Sequence, residues 1–167
     1  MGKSVLQAQS LPQDTSLQND LLADVFVTPP SYNWSLTSGD NPAPNVFNMH
    51  VRSRLLPWQV YVRDPMNLDA VGHPKPGGTQ GKMAEYNLAS SAWVVPGRAL
   101  SLPIIVQSGV RSPVTLTGAN QLLEYGEPLP PQGTPYAISL SQHVEPNDAS
   151  LTDTMYHIVI FFEIIPD

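Results

Sequence analysis

The stretch from Met155 to Ile165, MYHIVIFFEII, constrains the fold of this chain more than any other part of the sequence. β-Branched and aromatic residues dominate it, and such residues favour a pleated strand over a helix. Because side chains alternate between the two faces of a strand, both faces here are apolar, with polar residues only near the ends. This pattern is typical of a strand covered on both sides, by a core on one side and by a second layer or another subunit on the other.

The rest of the chain predicts short strands separated by turns. Strand-like segments lie at 25–27, 46–56, 58–63, 93–95, 100–106, 114–117, 122–125 and 136–140. Pro, Gly or Asn residues punctuate the chain between these segments, and short strands at regular spacing are typical of a sandwich or barrel. The sequence therefore predicts an all-β fold, a single jelly-roll barrel or sandwich of about eight strands with long loops. An immunoglobulin-like sandwich and a lipocalin-like cup are the alternatives, and the strand order stays open.

Polar and Pro/Gly-rich segments define the predicted domain organisation. Residues 1–24 are rich in Gln, Asn, Ser and Asp, and we expect an extended N-terminal arm that orders on a partner, with a short helix as the alternative. Residues 25–167 then form a single β-barrel domain, since a chain of this length fits one domain. Residues 31–45 and 64–82 are predicted loops because Gly, Pro and Asn recur in them. The length of the second loop indicates a functional or mobile segment.

The composition indicates a rigid protein with a largely neutral surface. Proline accounts for 18 of 167 residues, roughly twice the usual ~5%, and charged residues make up 13%, about half the ~25% of soluble domains. Neutral surface costs less to desolvate against a neighbour, and prolines stiffen loops as they do in heat-stable proteins. We therefore expect a thermostable, contact-rich structural protein. The alternative is a Pro-rich all-β domain with an unremarkable surface.

Several classes of function lack their sequence signals. The net charge is −6 and no run of basic residues occurs, so direct binding to nucleic acid is not expected. The chain has no cysteine, which excludes disulfides and thiol chemistry. GGTQGK at 77–82 fails the phosphate-loop pattern, since Pro76 replaces the first glycine and Met83 follows the lysine. We predict no enzyme activity and no cofactor.

Metal sites are also not predicted. The four histidines lie too far apart in sequence for a His-x-His or His-Glu-x-x-His pattern. Glu145, Asn147, Asp148 and Asp153 carry oxygen ligands of the kind Ca²⁺ prefers, but they do not follow EF-hand spacing. Acidic residues in loops usually face water. A cupin-type metal enzyme and a Ca²⁺ site therefore remain minor alternatives.

Three of these features together resemble a known class of protein. The Pro-rich, cysteine-free composition, the polar segment 1–24 and the closing strand MYHIVIFFEII are similar to those of small single-jelly-roll capsid proteins. These proteins build tailless icosahedral bacteriophages that have an internal membrane, particularly those of heat-loving hosts. The resemblance implies a virion protein that forms homo-oligomers such as a dimer and also associates with a larger sister capsid subunit. It implies no catalysis, and proximity to the internal membrane without insertion.

We expect the contacts between subunits to involve apolar side chains in the closing strand, the first long loop and the arm. The candidates are Val159, Phe161, Ile165, Trp34, Leu17 and Leu21. A carbohydrate-binding β-sandwich of a phage adhesion apparatus is the alternative function. In that alternative Trp34 contacts the sugar, because aromatic rings in loops are common contact residues.

Overall fold

Strands account for nearly all the regular structure of the described residues. A computed structural model describes residues 2–10 by their backbone, and residues 23–130, 132–148 and 155–167. These ranges contain a short 3-10 helix at Pro146–Asp148 and no α-helix, which confirms the all-β prediction. The strands are β1 (Gly2–Ser10), β2 (Asp24–Thr28), β3 (Ser31–Leu36), β4 (Gly39–Arg52), β5 (Trp58–Arg63), β6 (Ala84–Asn87), β7 (Ala92–Trp93), β8 (Ile105–Ser108), β9 (Val114–Thr115), β10 (Gln121–Gly126), β11 (Thr134–Val144) and β12 (Met155–Pro166).

Hydrogen bonding divides these strands between two sheets. The large sheet has seven strands and follows the order β10-β5-β12-β1-β3, while β6 pairs with β12 and β7 pairs with β6. The small sheet has five strands in the order β2-β4-β11-β8-β9. The described ladders are antiparallel except that β1 runs parallel to β12. Side chains from both sheets form one core cluster, so the chain folds as a β-sandwich.

Alternating side chains of the two sheets fill this core. On β4, Phe47, Met49 and Val51 point inward from the small sheet. On β5, Trp58, Val60 and Val62 do the same from the large sheet, at the positions that the sequence alternation predicts. The indole N–H of Trp58 donates to the Glu127 carbonyl oxygen at 2.8 Å, which satisfies the polar atom of an otherwise buried ring.

The closing strand β12 has the two-sided burial that its sequence predicts. Every residue from Tyr156 to Phe162 is buried. The members of one face, among them Ile158 and Ile160, belong to the core cluster, whereas His157 and Val159 lie on the opposite face. Along one edge β12 pairs with β5 and β6, and along the other with β1. The strand therefore lies in the middle of the large sheet.

The first predicted loop in fact consists mainly of strand, shared between the two sheets. Residues 31–45 form β3 and the first half of β4, although Pro42 and Pro44 lie in this part of β4. The reason is that β2 pairs with β4 only from Asn48 to Arg52. Both prolines precede this range, so they lie in the part of β4 that has no ladder with β2. A proline has no N–H to donate, and a sheet edge is where that loss is tolerated.

The N-terminal segment also differs from the expected arm. Residues 2–10 form β1, which lies between β12 and β3 in the large sheet. Residues 11–22 of the predicted arm lie outside the described residues. The backbone groups along the facing edges of β12 and β3 need hydrogen-bond partners, and β1 supplies them. The number of strands, twelve in the described residues against about eight expected, differs partly for the same reason.

The two-sided burial of β12 predicts a large difference between two identical substitutions on this strand. Ile160 has no solvent exposure and Ile165 is 43% exposed. We expect Ile160→Ala to lower the free energy of unfolding by ~2–5 kcal/mol, because it leaves a cavity in the core. Ile165→Ala is the control and should cost less than ~1 kcal/mol. Equal shifts of the midpoint in urea denaturation would contradict the assignment of these two positions.

Candidate functional site

Three of the six apolar residues predicted to contact other subunits are not accessible in the folded chain. Val159 and Phe161 are buried, at 0% and 8% exposure. Trp34 is 6% exposed, because it lies in β3 with its side chain in the core rather than in a loop. Ile165 remains partly exposed, while Leu17 and Leu21 lie outside the described residues. The expected contact surface on β12 and Trp34 is therefore corrected, since the chain itself buries these side chains.

Part of the chain covers the outward face of β12. We call residues 64–99 the outer layer. The His157 ring on this face packs against Tyr86 and Trp93, with ring centroids 4.5 Å and 5.4 Å away. The guanidinium of Arg63 from β5 lies 4.7 Å from the centroid of the Phe161 ring. The second layer that the sequence of β12 requires is therefore largely the chain's own outer layer.

A buried ion pair joins the loop of the outer layer to Asp64, the residue that directly follows β5. The side chains of Lys75 and Asp64 have no solvent exposure, and the Lys75 ammonium contacts the Asp64 carboxylate. It also donates to the carbonyl oxygens of Thr79 at 3.1 Å and Lys82 at 2.6 Å, so all three N–H groups have an acceptor. Burial lowers the pKa of Lys75, and Asp64 opposes this lowering. A buried pair with every donor satisfied holds the loop in one conformation.

Asp69 fixes the outer part of the same loop. Its carboxylate accepts the backbone N–H groups of Val71 at 2.9 Å, His73 at 2.8 Å and Trp93 at 2.8 Å. Desolvation raises the pKa of Asp69, but the backbone donors outweigh it and leave the pKa below its ordinary value. Because Trp93 covers β12, Asp69 links the exposed turn of the loop to the covered strand.

Gly81, at the end of this loop, serves packing. Gly81 has φ +74°, and a Cβ atom there would lie 1.9 Å from the carbonyl oxygen of Leu116. The Gly81 N–H donates to the Asp64 carboxylate at 2.9 Å. The glycine at this position thus allows the loop to approach the neighbouring backbone and the buried ion pair. The GGTQGK segment has this structural explanation in place of a phosphate loop.

The outer layer exposes large apolar side chains to solvent. We call them the outer surface, and they are Leu68, Val71, Leu88, Val94 and Val95, with exposures of 63%, 57%, 52%, 37% and 67%. Hydrogen bonding brings their segments together, since the Ala70 N–H donates to the Ser91 carbonyl oxygen at 3.1 Å. A groove of about 430 Å³ is lined by Leu88 and Val94. Exposed apolar groups on a rigid support are typical of protein contact sites.

The sequence contained a signal for this surface that strand periodicity does not detect. Leu68 and Val71 lie in a loop rich in Gly and Pro, and Val95 directly precedes Pro96. Loops almost always run over the surface, so a large apolar residue within such a segment has few ways to become buried. Leu68 and Val71 in the predicted loop 64–82 were therefore candidates for exposed apolar residues, although Trp34 in the predicted loop 31–45 is buried.

The acidic loop predicted as a minor Ca²⁺ candidate is held by protein contacts. The Asp148 carboxylate accepts from the backbone N–H and hydroxyl of Ser101 at 3.1 Å and 2.7 Å, and from the N–H of Glu145 at 3.0 Å. Asp153 lies outside the described residues. Within the part of the chain that the structure describes, no group of three or more His, Cys, Asp or Glu residues could hold a metal ion.

Comparisons with known proteins give no assignment for this chain. Neither the models of known protein families nor the curated proteins contain a match. Among the described residues, no helix is long and apolar enough to span a membrane. The function is therefore inferred from the geometry of the fold and of the outer surface.

The buried ion pair predicts unequal effects for two lysine substitutions in the same loop. Lys75→Met should lower the free energy of unfolding by ~3–5 kcal/mol, because it leaves the Asp64 carboxylate buried without its cation. Lys82→Met is the matched control, since Lys82 is only partly buried, and should change it by less than ~1 kcal/mol. Urea denaturation measures both. Equal losses would show that Lys75 does not fix the loop.

Proposed function

We propose that this chain is a structural capsid protein that assembles with copies of itself into the icosahedral shell of a virus. The observation that carries the proposal is the outer surface on a layer fixed by the buried pair of Lys75 and Asp64. A rigid apolar surface loses little conformational entropy on association, and its desolvation favours contact with a partner. Such a surface suits assembly better than it suits an isolated domain.

The strand order supports a jelly-roll form of the sandwich, as this proposal expects. A jelly roll is a long hairpin of eight strands wound into two sheets, in which the first strand is matched with the eighth, the second with the seventh, and so on inward. If β3, β4, β5, β8, β9, β10, β11 and β12 are the eight strands, then β4 pairs with β11, β5 with β10, and β8 with β9. The outermost strands β3 and β12 share the large sheet, with β1 between them.

The charge of the chain supports a partner that is protein. Charged residues make up only 13% of the sequence and the net charge is −6. An acidic chain repels nucleic acid, and a sparsely charged surface is desolvated at low cost. Copies of this chain and a larger sister capsid subunit are the partners that we propose, in a virion whose internal membrane lies nearby. The chain supplies buried area in this role and carries out no reaction.

Association through the outer surface predicts different effects for two Val→Glu substitutions. Val95 lies on the outer surface, whereas Val110 is fully exposed in the connection between β8 and β9 of the small sheet. We expect Val95→Glu to weaken self-association at least ~tenfold, a change of ~1.4 kcal/mol, because an unpaired carboxylate is more costly to desolvate than a neutral polar group. Val110→Glu makes the same change in charge and should leave association unchanged. Sedimentation velocity over a range of concentrations measures both.

Two results would overturn the proposal. A wild-type chain that stays monomeric at high micromolar concentration has no strong self-association to explain. Equal weakening by Val95→Glu and Val110→Glu would mean that net charge, rather than the outer surface, controls association. Circular dichroism of both variants checks that the fold is retained.

A second candidate function is carbohydrate binding by a phage adhesion module. Trp34 does not support it, since this ring is buried, but Phe26 is 40% exposed and stacks on His50 with ring centroids 4.5 Å apart. Flat exposed aromatic faces are suitable for stacking on sugars. In this alternative, Phe26→Ala abolishes the signals on a glycan array. A wild-type array without any signal would contradict it.

A further inference from the structure

No hairpin connects strand β1 to either of its neighbours in the large sheet. It pairs in parallel with β12 over eight residue pairs, from Lys3 opposite Met155 to Ser10 opposite Phe162. On its other edge it pairs antiparallel with β3 over six. Both neighbours are distant in the order of the chain, since β2 precedes β3 and β12 closes the sequence. The contacts of β1 therefore depend on matching backbone edges and not on a local turn.

The other strands of the sandwich leave a slot between β12 and β3 that is one strand wide. Of the four strand pairs of a jelly roll, β4–β11, β5–β10 and β8–β9 form without β1. The fourth pair, β3 and β12, is separated by β1. If the slot were empty, the backbone groups of β3 and the facing edge of β12 would lack partners. A strand in this slot therefore satisfies the backbone groups of both edges at once. Residues 2–10 fill this slot in a defined register with β12 and β3.

The tether between β1 and its own subunit is long. Residues 11–23 separate Ser10, the end of β1, from Asp24, the start of β2 in the small sheet. A chain of thirteen residues can span up to ~43 Å, whereas two packed sheets lie only ~10 Å apart. The tether is thus several times longer than the sheet spacing that it crosses. Its length permits β1 to reach a slot in an adjacent molecule.

We propose that copies of this chain exchange β1, so that residues 2–10 of one copy fill the slot between β12 and β3 of its neighbour. The inference rests on the proposed function, because the partner is a second copy of the chain at the concentration of an assembled shell. Short linkers in general give effective concentrations in the millimolar range, and neighbours in a shell reach comparable concentrations. The exchanged strand makes the same two ladders, so exchange costs little backbone hydrogen bonding.

The sequence of β1 suits such an exchange. GKSVLQAQS carries a single charged residue, Lys3, and contains no proline. Charges and proline hinder a strand from pairing with other chains, and β1 carries little of either. Each exchanged strand would link two copies through fourteen residue pairs, since eight pairs join it to β12 and six to β3. This linkage adds to the contacts of the outer surface.

Cysteine trapping tests the exchange directly, because the natural chain has no cysteine. Val5 of β1 faces Asn33 of β3 in the antiparallel register. Directly opposed residues in such ladders have Cα atoms ~4.5–5.5 Å apart, within the range that a disulfide spans. We would co-express full-length Val5→Cys, carrying an affinity tag, with untagged full-length Asn33→Cys, and oxidise the purified protein. Each variant alone is the control for disulfides between like chains.

Exchange predicts a disulfide that joins the tagged Val5→Cys chain to the untagged Asn33→Cys chain. Mass spectrometry identifies the linked peptides, and the double variant should form linked dimers under denaturing, non-reducing conditions. A double variant that forms only a disulfide within one chain overturns the exchange. If the first pair of cysteines prevents folding, cysteines at Gln7 and at Ser31, which lies opposite it, provide a second test of the same kind.

Sedimentation of the wild-type chain separates this inference from the proposed function. Oligomers with a disulfide only within each chain would leave assembly standing and refute the exchange. A monomer at high micromolar concentration that forms only this internal disulfide would refute both. Oligomers that show the disulfide between the two variants would support both.

Discussion

The burial of β12 on both faces and the pairing of both its edges is the constraint on which the rest of the structure depends. The core packs against Ile158 and Ile160 below the strand, while Tyr86 and Trp93 pack on the His157 ring above it. Along its edges the strand has β5 and β6 on one side and β1 on the other. An apolar strand without these partners would leave backbone polar groups unpaired and template aggregation. The outer layer and β1 complete the environment that β12 needs.

Because the middle of β12 is buried, exposed apolar side chains lie on the outer layer and not on that part of the strand. Tyr86 and Trp93 of the outer layer pack on His157, and the same layer exposes Leu88, Val95 and their neighbours to solvent. Asp64, Lys75 and Asp69 hold this layer through buried or well-satisfied polar contacts, so the exposed groups lie on a fixed support. The proposal of assembly therefore rests on the outer layer. If copies exchange β1, the same strand that completes the large sheet also links the subunits.

The alternation of side chains within a segment predicted strands that are paired along both edges. It failed where a strand is paired along one edge for part of its length, or where its partners lie far away in the sequence. The segment Trp58–Arg63 alternates cleanly and forms β5 as predicted. Pro42 and Pro44 suggested a loop, but they fit in β4 because its ladder with β2 begins only at Asn48. Polar composition suggested an arm at the N-terminus, yet residues 2–10 pair with β12 and β3. Periodicity within a segment carries no information about which distant edge it will meet.

The sequence by itself determined that the chain is all-β and that its closing strand is covered on both faces, because side-chain alternation and residue type report how much of each face is buried. Tertiary structure alone decided what provides the cover. Trp34 packs into a core whose members come from strands far apart in the chain. Lys75 instead fixes the Gly/Pro-rich loop through its buried contact with Asp64, which directly follows β5. Burial is a local preference of a segment, whereas the identity of the burying partner depends on long-range packing and backbone pairing.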